Sequence, residues 1–169
     1  MVHEDLDDLC DLRMDPIVSQ YLQRDVPTSR KEVVDFIIKI RSGLREHKWI
    51  YWAIRSKDHF RANKQPSLIG TICLWQINVD KKSCDIGFEL ALKYQGKGIM
   101  SKAVKIVCEY GLTEMNLYSI VGYARVNNAP SIKLMKRSGF KFIGNDHENG
   151  FDHVIYAIES PIEIPSNGS

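Results

Sequence analysis

The 169-residue chain reads as one α/β domain built on a mixed, mostly antiparallel sheet flanked by about four helices. Two observations carry that reading. Apolar residues recur with a helical period over roughly the first 46 positions and with a period of 2 afterwards, as in half-buried strands. Later, a strand-helix-strand run over residues 84–126 implies one parallel pair joined by a crossover. Composition agrees: 44% hydrophobic and 26% charged residues suffice for a core and exclude disordered and collagen-like chains. With 23 basic against 21 acidic residues the net charge is +2, too small a field to make nucleic acid or an anionic membrane the expected partner.

Leu6, Leu9, Cys10 and Leu12 have partial helical spacing, and the run stops at Asp15-Pro16 because proline drives the preceding residue away from helical backbone. A further turn is expected over residues 17–22. Ser29 and Glu32 form a capping box, and Val33, Val34, Phe36, Ile37, Ile40 and Leu44 then share one face, predicting a helix to about Glu46. Residues 49–55 and 68–78 read as strands, with the polar stretch 56–67 as the loop between them. Residues 84–92 form a third strand, antiparallel because only the short turn 78–83 precedes it. Ile99, Ala103, Ile106, Val107 and Tyr110 predict a helix over 98–115, and residues 118–126 a strand. Asn128 caps another helix with Pro130 in its first turn, and Gly139 is placed to end it. Residues 140–143 and 154–158 close the chain as a hairpin. The domain is expected over 1–159, with 160–169 a tail.

The four cysteines, Cys10, Cys73, Cys84 and Cys108, include no Cys-x-x-Cys pair, and the five histidines lack ligand spacing, so reduced thiols and no metal are expected. The acidic first eight residues do not resemble a secretory leader. No apolar run approaches the ~20 residues of a membrane span, so a cytoplasmic protein without membrane contact is expected.

The segment Tyr94-Gln95-Gly96-Lys97-Gly98-Ile99-Met100-Ser101 lies between a strand and a long helix. Glycines around a lysine at a helix N-terminus leave backbone N–H groups unpaired and facing outward, an arrangement suited to a diphosphate. A P-loop would require Ser or Thr where Gly98 stands, and a dinucleotide fingerprint a third glycine where Ser101 stands.

Gln95-Gly96-Lys97-Gly98, preceded by Asp85-Ile86-Gly87-Phe88-Glu89-Leu90, resembles the acetyl-CoA signature and the strand before it in the GNAT N-acetyltransferase superfamily. A second block, Asn128-Ala129-Pro130-Ser131 followed by Leu134 and Gly139-Phe140, is similar to that family's Asn-x-x-Ser/Ala helix and closing Gly-Phe. The resemblance covers nearly the whole chain from Leu6 to Ile158. The N-terminal helices, the Asp15-Pro16 break and the Gly-Phe-Glu-Leu strand look most like the RimJ/RimL branch, whose members acetylate α-amino groups of ribosomal proteins.

The resemblance implies a sheet splayed at its parallel pair. Pantetheine would bond to the backbone of Leu90, Ala91 and Leu92, and the diphosphate to the N–H groups of Gln95, Gly96, Lys97, Gly98, Ile99, Met100 and Ser101. Asn128 and Ser131 would contact the far side of the pantetheine arm. It also implies a carboxylate beside the cleft that takes the amine proton through water. Glu89 is the first candidate and Asp85 the reserve, since strand alternation puts both on one face. Many members carry a tyrosine acid where Met135 stands, and thioether sulfur has no proton to give. Ser131 is then the candidate to hydrogen-bond the leaving sulfur. Members usually begin with a strand that is not seen before residue 6, which predicts an open sheet edge and a possible homodimer.

The expected function is acetyl transfer from acetyl-CoA to a primary amine, foremost a protein N-terminal α-amine, by direct transfer in a ternary complex. An α-amine titrates near ~8 against ~10.4 for a lysine side chain, so it tolerates a weak base. The alternatives are a small-molecule amine such as a polyamine or aminoglycoside, and a non-catalytic acyl-CoA sensor.

Overall fold

The computed structural model describes residues 3–22, 24–60, 66–148 and 150–161. Helices α1 (Leu6–Arg13), α2 (Pro16–Ser19) and α3 (Arg30–Arg45) precede strands β1 (Ile50–Phe60), β2 (Pro66–Asn78) and β3 (Ser83–Leu90). Then follow α4 (Ile99–Thr113), β4 (Ser119–Arg125), α5 (Ala129–Arg137), β5 (Lys141–Glu148) and β6 (Phe151–Glu159). The strands form one sheet in the order β1-β2-β3-β4-β6-β5, in which β3 and β4 pair in parallel and every other pair is antiparallel. The expected mixed sheet with one parallel junction is therefore present, with five helices rather than about four.

Local sequence accounts for the helix boundaries. The Asp15 carboxylate accepts from the Ile17 and Val18 amides, so the Asp-Pro break ends α1 and starts α2 in one step. Ser29 caps α3 by accepting from the Glu32 amide. The Glu32 carboxylate returns to the Thr28 amide and hydroxyl, one residue earlier than in the usual capping box. The Asn128 side chain caps α5 by accepting from the Ser131 amide at 3.2 Å.

Two apolar clusters occupy opposite faces of the sheet. Trp52 and Ile54 of β1 pack with the cluster that joins Ile72, Leu74, Ile86 and Ile120 to Val104, Val107 and Cys108 of α4. Ala53, between them, faces the cluster of Leu6, Leu9, Leu12, Val33, Ile37 and Leu68 under the N-terminal helices.

Three sequence expectations shift. β1 runs on to Phe60 and β2 begins at Pro66, so most of the polar stretch taken for a loop is strand. An edge strand can alternate polar residues outward, and Arg55 donates to the Pro66 carbonyl across the pair. β3 stops at Leu90, and Leu92–Tyr94 forms a short 3-10 turn, with Tyr94 and Gln95 amides bonded to the Ala91 and Leu92 carbonyls. The final hairpin is longer than expected at both ends, and His153 on it is buried rather than at the surface. Most of the expected tail, residues 162–169, lies outside the described residues.

Candidate active site

The β3–β4 ladder is three residues long: Ser83, Cys84 and Asp85 face Ser119, Ile120 and Val121, and there the pairing ends. β3 continues for five more residues and β4 for four without a shared rung, which leaves a wedge whose apex is Asp85. A cleft of about 740 Å³ opens at the wide end. Phe88, Glu89 and Leu90 of β3, Gly96, Gly98 and Ser101 at the start of α4, Asn128 and Ser131 at the start of α5, and residues of the α2 segment line it.

The loop before α4 is shaped by two glycines. Gly96 and Gly98 have φ of +72° and +75°, the left-handed region that favours glycine, and a Cβ on either would meet nothing within 4 Å. The backbone bends there over open space. Among the described residues no partner is found for the amides of residues 96–101, and Lys102 is the first to bond back, to the Gly98 carbonyl at 3.2 Å. Those donors and the positive end of a 15-residue helix dipole form a cradle for a diphosphate.

Gln95 departs from its expected role. Its amide is bonded to the Leu92 carbonyl and its side chain donates to the Leu90 carbonyl at 2.9 Å, so it braces the loop instead of offering an N–H. Ala91 also points its amide inward, to Ile69 on β2 at 2.9 Å. Of the expected coenzyme contacts, Leu90, Leu92, Gln95, Gly96, Gly98, Ile99, Met100, Ser101, Asn128 and Ser131 line the cleft, whereas Ala91 and Lys97 do not. The Lys97 ammonium lies over the Tyr94 ring at 5.6 Å.

The two carboxylates considered for the base have different surroundings. Glu89 is only 7% exposed, and its carboxylate holds Arg13 of α1 and Arg24, each at 3.0 Å, and the Thr71 hydroxyl at 3.1 Å. A carboxylate whose two oxygens each anchor a guanidinium cannot accept an amine proton without breaking a buried ion pair. The geometry therefore disagrees with Glu89 as base. Burial pulls the Arg13 guanidinium below its ordinary value, and the neighbouring Glu89 opposes that fall. Asp85 differs: it is half-buried at the apex, and desolvation alone pushes its carboxyl up to about 6. Among the described residues no cation is found on the Asp85 carboxylate, and a carboxylate with a raised pKa is able to take a proton near neutral pH, although Asp85 itself does not line the cleft.

Ser131 has its amide on the cap while its hydroxyl has no hydrogen-bond partner among the described residues. Met135 is 1% exposed and packs over Gly122, where a Cβ would come within 2.6 Å of its sulfur, so that position belongs to the core in this chain.

Sequence reasoning missed Arg13, Arg24, Arg125 and Tyr123. Arg13 had a signal, since it stands four residues after Leu9 and seven after Leu6 and thus on the buried stripe of α1, where an arginine needs an acidic partner. Arg125 stacks on Phe151 at 3.6 Å and donates to the Gln20 carbonyl at 3.3 Å. Burial raises the Tyr123 phenol above its ordinary value, and the charges of Asp85, Asp146 and Glu148 raise it further.

A family model described as an acetyltransferase (GNAT) domain matches residues 1–141. The chain is 30% identical over 154 residues to a protein of Bacillus licheniformis named "Uncharacterized N-acetyltransferase p20", covering 90% of this chain and 83% of that one. Its fold is that of the ribosomal-protein-S5-alanine acetyltransferase of Vibrio fischeri (TM-score 0.82, 18% identity, 98% and 93% of the two chains). It is also that of the spermidine N-acetyltransferase of Vibrio cholerae solved with CoA and spermine (TM-score 0.78, 21% identity, 95% and 92%). With the cradle, the wedge and the family match in agreement, the chain belongs to the GNAT acetyltransferase family and is an acetyl-CoA-dependent N-acetyltransferase.

Proposed function

We propose that the chain transfers the acetyl group of acetyl-CoA to a protein N-terminal α-amine, such as that of a ribosomal protein, in a ternary complex without a covalent enzyme intermediate. The observation that carries this reading is the wedge. It opens a cleft between the diverging strands, with the α4 cradle at its wide end and Phe88, Glu89 and Leu90 along its wall, while Asp85 stands at the apex beyond the residues that line the cleft.

The amine nitrogen attacks the thioester carbon, a C–N bond forms, the C–S bond breaks, and coenzyme A leaves as thiolate. The ammonium proton passes to Asp85 through water, because Asp85 stands beyond the residues that line the cleft. An α-amine near ~8 is already about one-tenth neutral at pH 7, and a carboxylate titrating near 6 is then mostly ionised, so the pair is matched to neutral solution. The thiolate, ordinarily near ~8.5, departs with little acid help, and the free Ser131 hydroxyl supplies one donor to the sulfur. The backbone edge of Leu90 and Leu92 holds the pantetheine arm, and the amides of residues 96–101 hold the diphosphate.

The shared fold with a spermidine N-acetyltransferase favours a second reading, a polyamine acceptor. Coenzyme release assayed with acetyl-CoA against peptides bearing free N-termini and against spermidine decides between them. A higher kcat/KM for peptides supports the first reading, a higher value for spermidine the second, and no turnover with any amine sinks both.

A further inference from the structure

The two strands that diverge beyond Asp85 are bridged by the chain that carries Gln20 and Arg24, four residues apart in sequence. Extending the parallel register places Glu89 of β3 opposite Arg125 of β4, four residues, or about 13 Å, past the last rung. Each of these two residues holds one end of the bridge. Glu89 takes Arg24 at 3.0 Å, and Arg125 donates to the Gln20 carbonyl at 3.3 Å. The bridge is also tied back to α1: the Arg13 carbonyl accepts from the Ser19 hydroxyl at 3.0 Å and from Arg24 at 3.3 Å, while the Arg13 guanidinium holds the other Glu89 oxygen. The neighbouring residues Ile17, Gln20, Tyr21 and Leu22 line the cleft.

We propose that Glu89 and Arg125 are positioning residues that anchor the α2 segment to both sides of the wedge and so fix the aperture through which the amine reaches the thioester. A carboxylate gripped by two guanidiniums suits this task. It is sequestered from water by its Thr71 and Arg13 contacts, and its bidentate load resists rotation. Arg125 suits it from the other strand, because the Phe151 ring behind it at 3.6 Å restrains its side chain.

The inference rests on the acyl-transfer reading for its kinetic test, and an exchange measurement keeps the two separable. Glu89→Gln keeps the shape and removes the charge. It should raise the acceptor KM and lower kcat/KM for the acceptor by about 10²-fold, the scale expected when a reacting group is misplaced by an ångström, with the acetyl-CoA KM unchanged. The pH midpoint of the reaction should stay where Asp85 sets it. Arg24→Gln should reproduce the same selective loss, and the double variant should be no worse than Glu89→Gln alone, because Glu89→Gln already cuts the Arg24 link. If Glu89→Gln fails to fold, Arg24→Gln, at a partly exposed position, decides alone. Hydrogen exchange of the amides at residues 17–22 should quicken in both variants while the amides of β2 stay protected, whether or not an acceptor has been identified. Loss of the pH dependence with an unchanged acceptor KM would make Glu89 the proton acceptor and overturn the proposal. So would an equal rise in both KM values, or unchanged exchange at residues 17–22.

Discussion

Two carboxylates on the same face of β3, four residues apart, have opposite surroundings. Glu89 is saturated with guanidinium and hydroxyl donors, while Asp85 is desolvated without a compensating cation. The consequence for pH follows from linkage. A carboxyl raised from 3.8 to about 6 on folding binds more protons folded than unfolded in that interval, so the protein loses stability as pH rises from about 4 to about 6. Asp85→Asn should therefore raise the melting temperature at pH 8 and leave it nearly unchanged at pH 3.5, while removing the rise of acetylation rate through pH 6. An equal stability gain at both pH values would show that Asp85 is not desolvated as described. At Gly98 the effect is steric. Valine there adopts a strained backbone, costing about 1–2 kcal/mol, and projects its side chain into the open cradle. Calorimetry should find coenzyme binding lost and the fold retained.

At the scale of elements, the close approach of β2 to β3 is set by Gly70. A Cβ there would lie 2.6 Å from the Glu89 carbonyl oxygen, a backbone atom that cannot turn aside. Gly70→Ala should cost about 1–3 kcal/mol by chemical denaturation, because β3 must shift as a unit. Its acceptor kinetics should worsen too, since the displaced residue is Glu89. How far the elements were legible follows from the same physics. The break at Asp15-Pro16, capping at Ser29 and Asn128, the period change after α3 and the Gly-Lys-Gly loop are local, and each appears in the structure where the residues predict it. The far half of β1 and the ends of the last hairpin were not legible, because edge strands need no apolar face to announce them. The identity of the carboxylate with a free oxygen was not legible either. It depends on Arg24, which lies 65 residues from Glu89 in the chain and carries no pattern of its own.

Taken whole, the molecule is two half-sheets, β1-β2-β3 and β4-β6-β5, with α4 as the covalent connection between them. Ligand binding should therefore be visible in global stability. At a coenzyme concentration 100 times its Kd, mass action contributes about 2.7 kcal/mol. At about 2–4 °C per kcal/mol for a chain of this size, that predicts a rise in Tm of roughly 5–11 °C, abolished in Gly98→Val. A wild-type shift that survives in the variant would remove the diphosphate from the α4 cradle. The three-rung seam between Ser83–Asp85 and Ser119–Val121 has a mechanical corollary. So few rungs make it the weakest line across the sheet, and a coenzyme arm bound beside it would brace the two half-sheets as well as react.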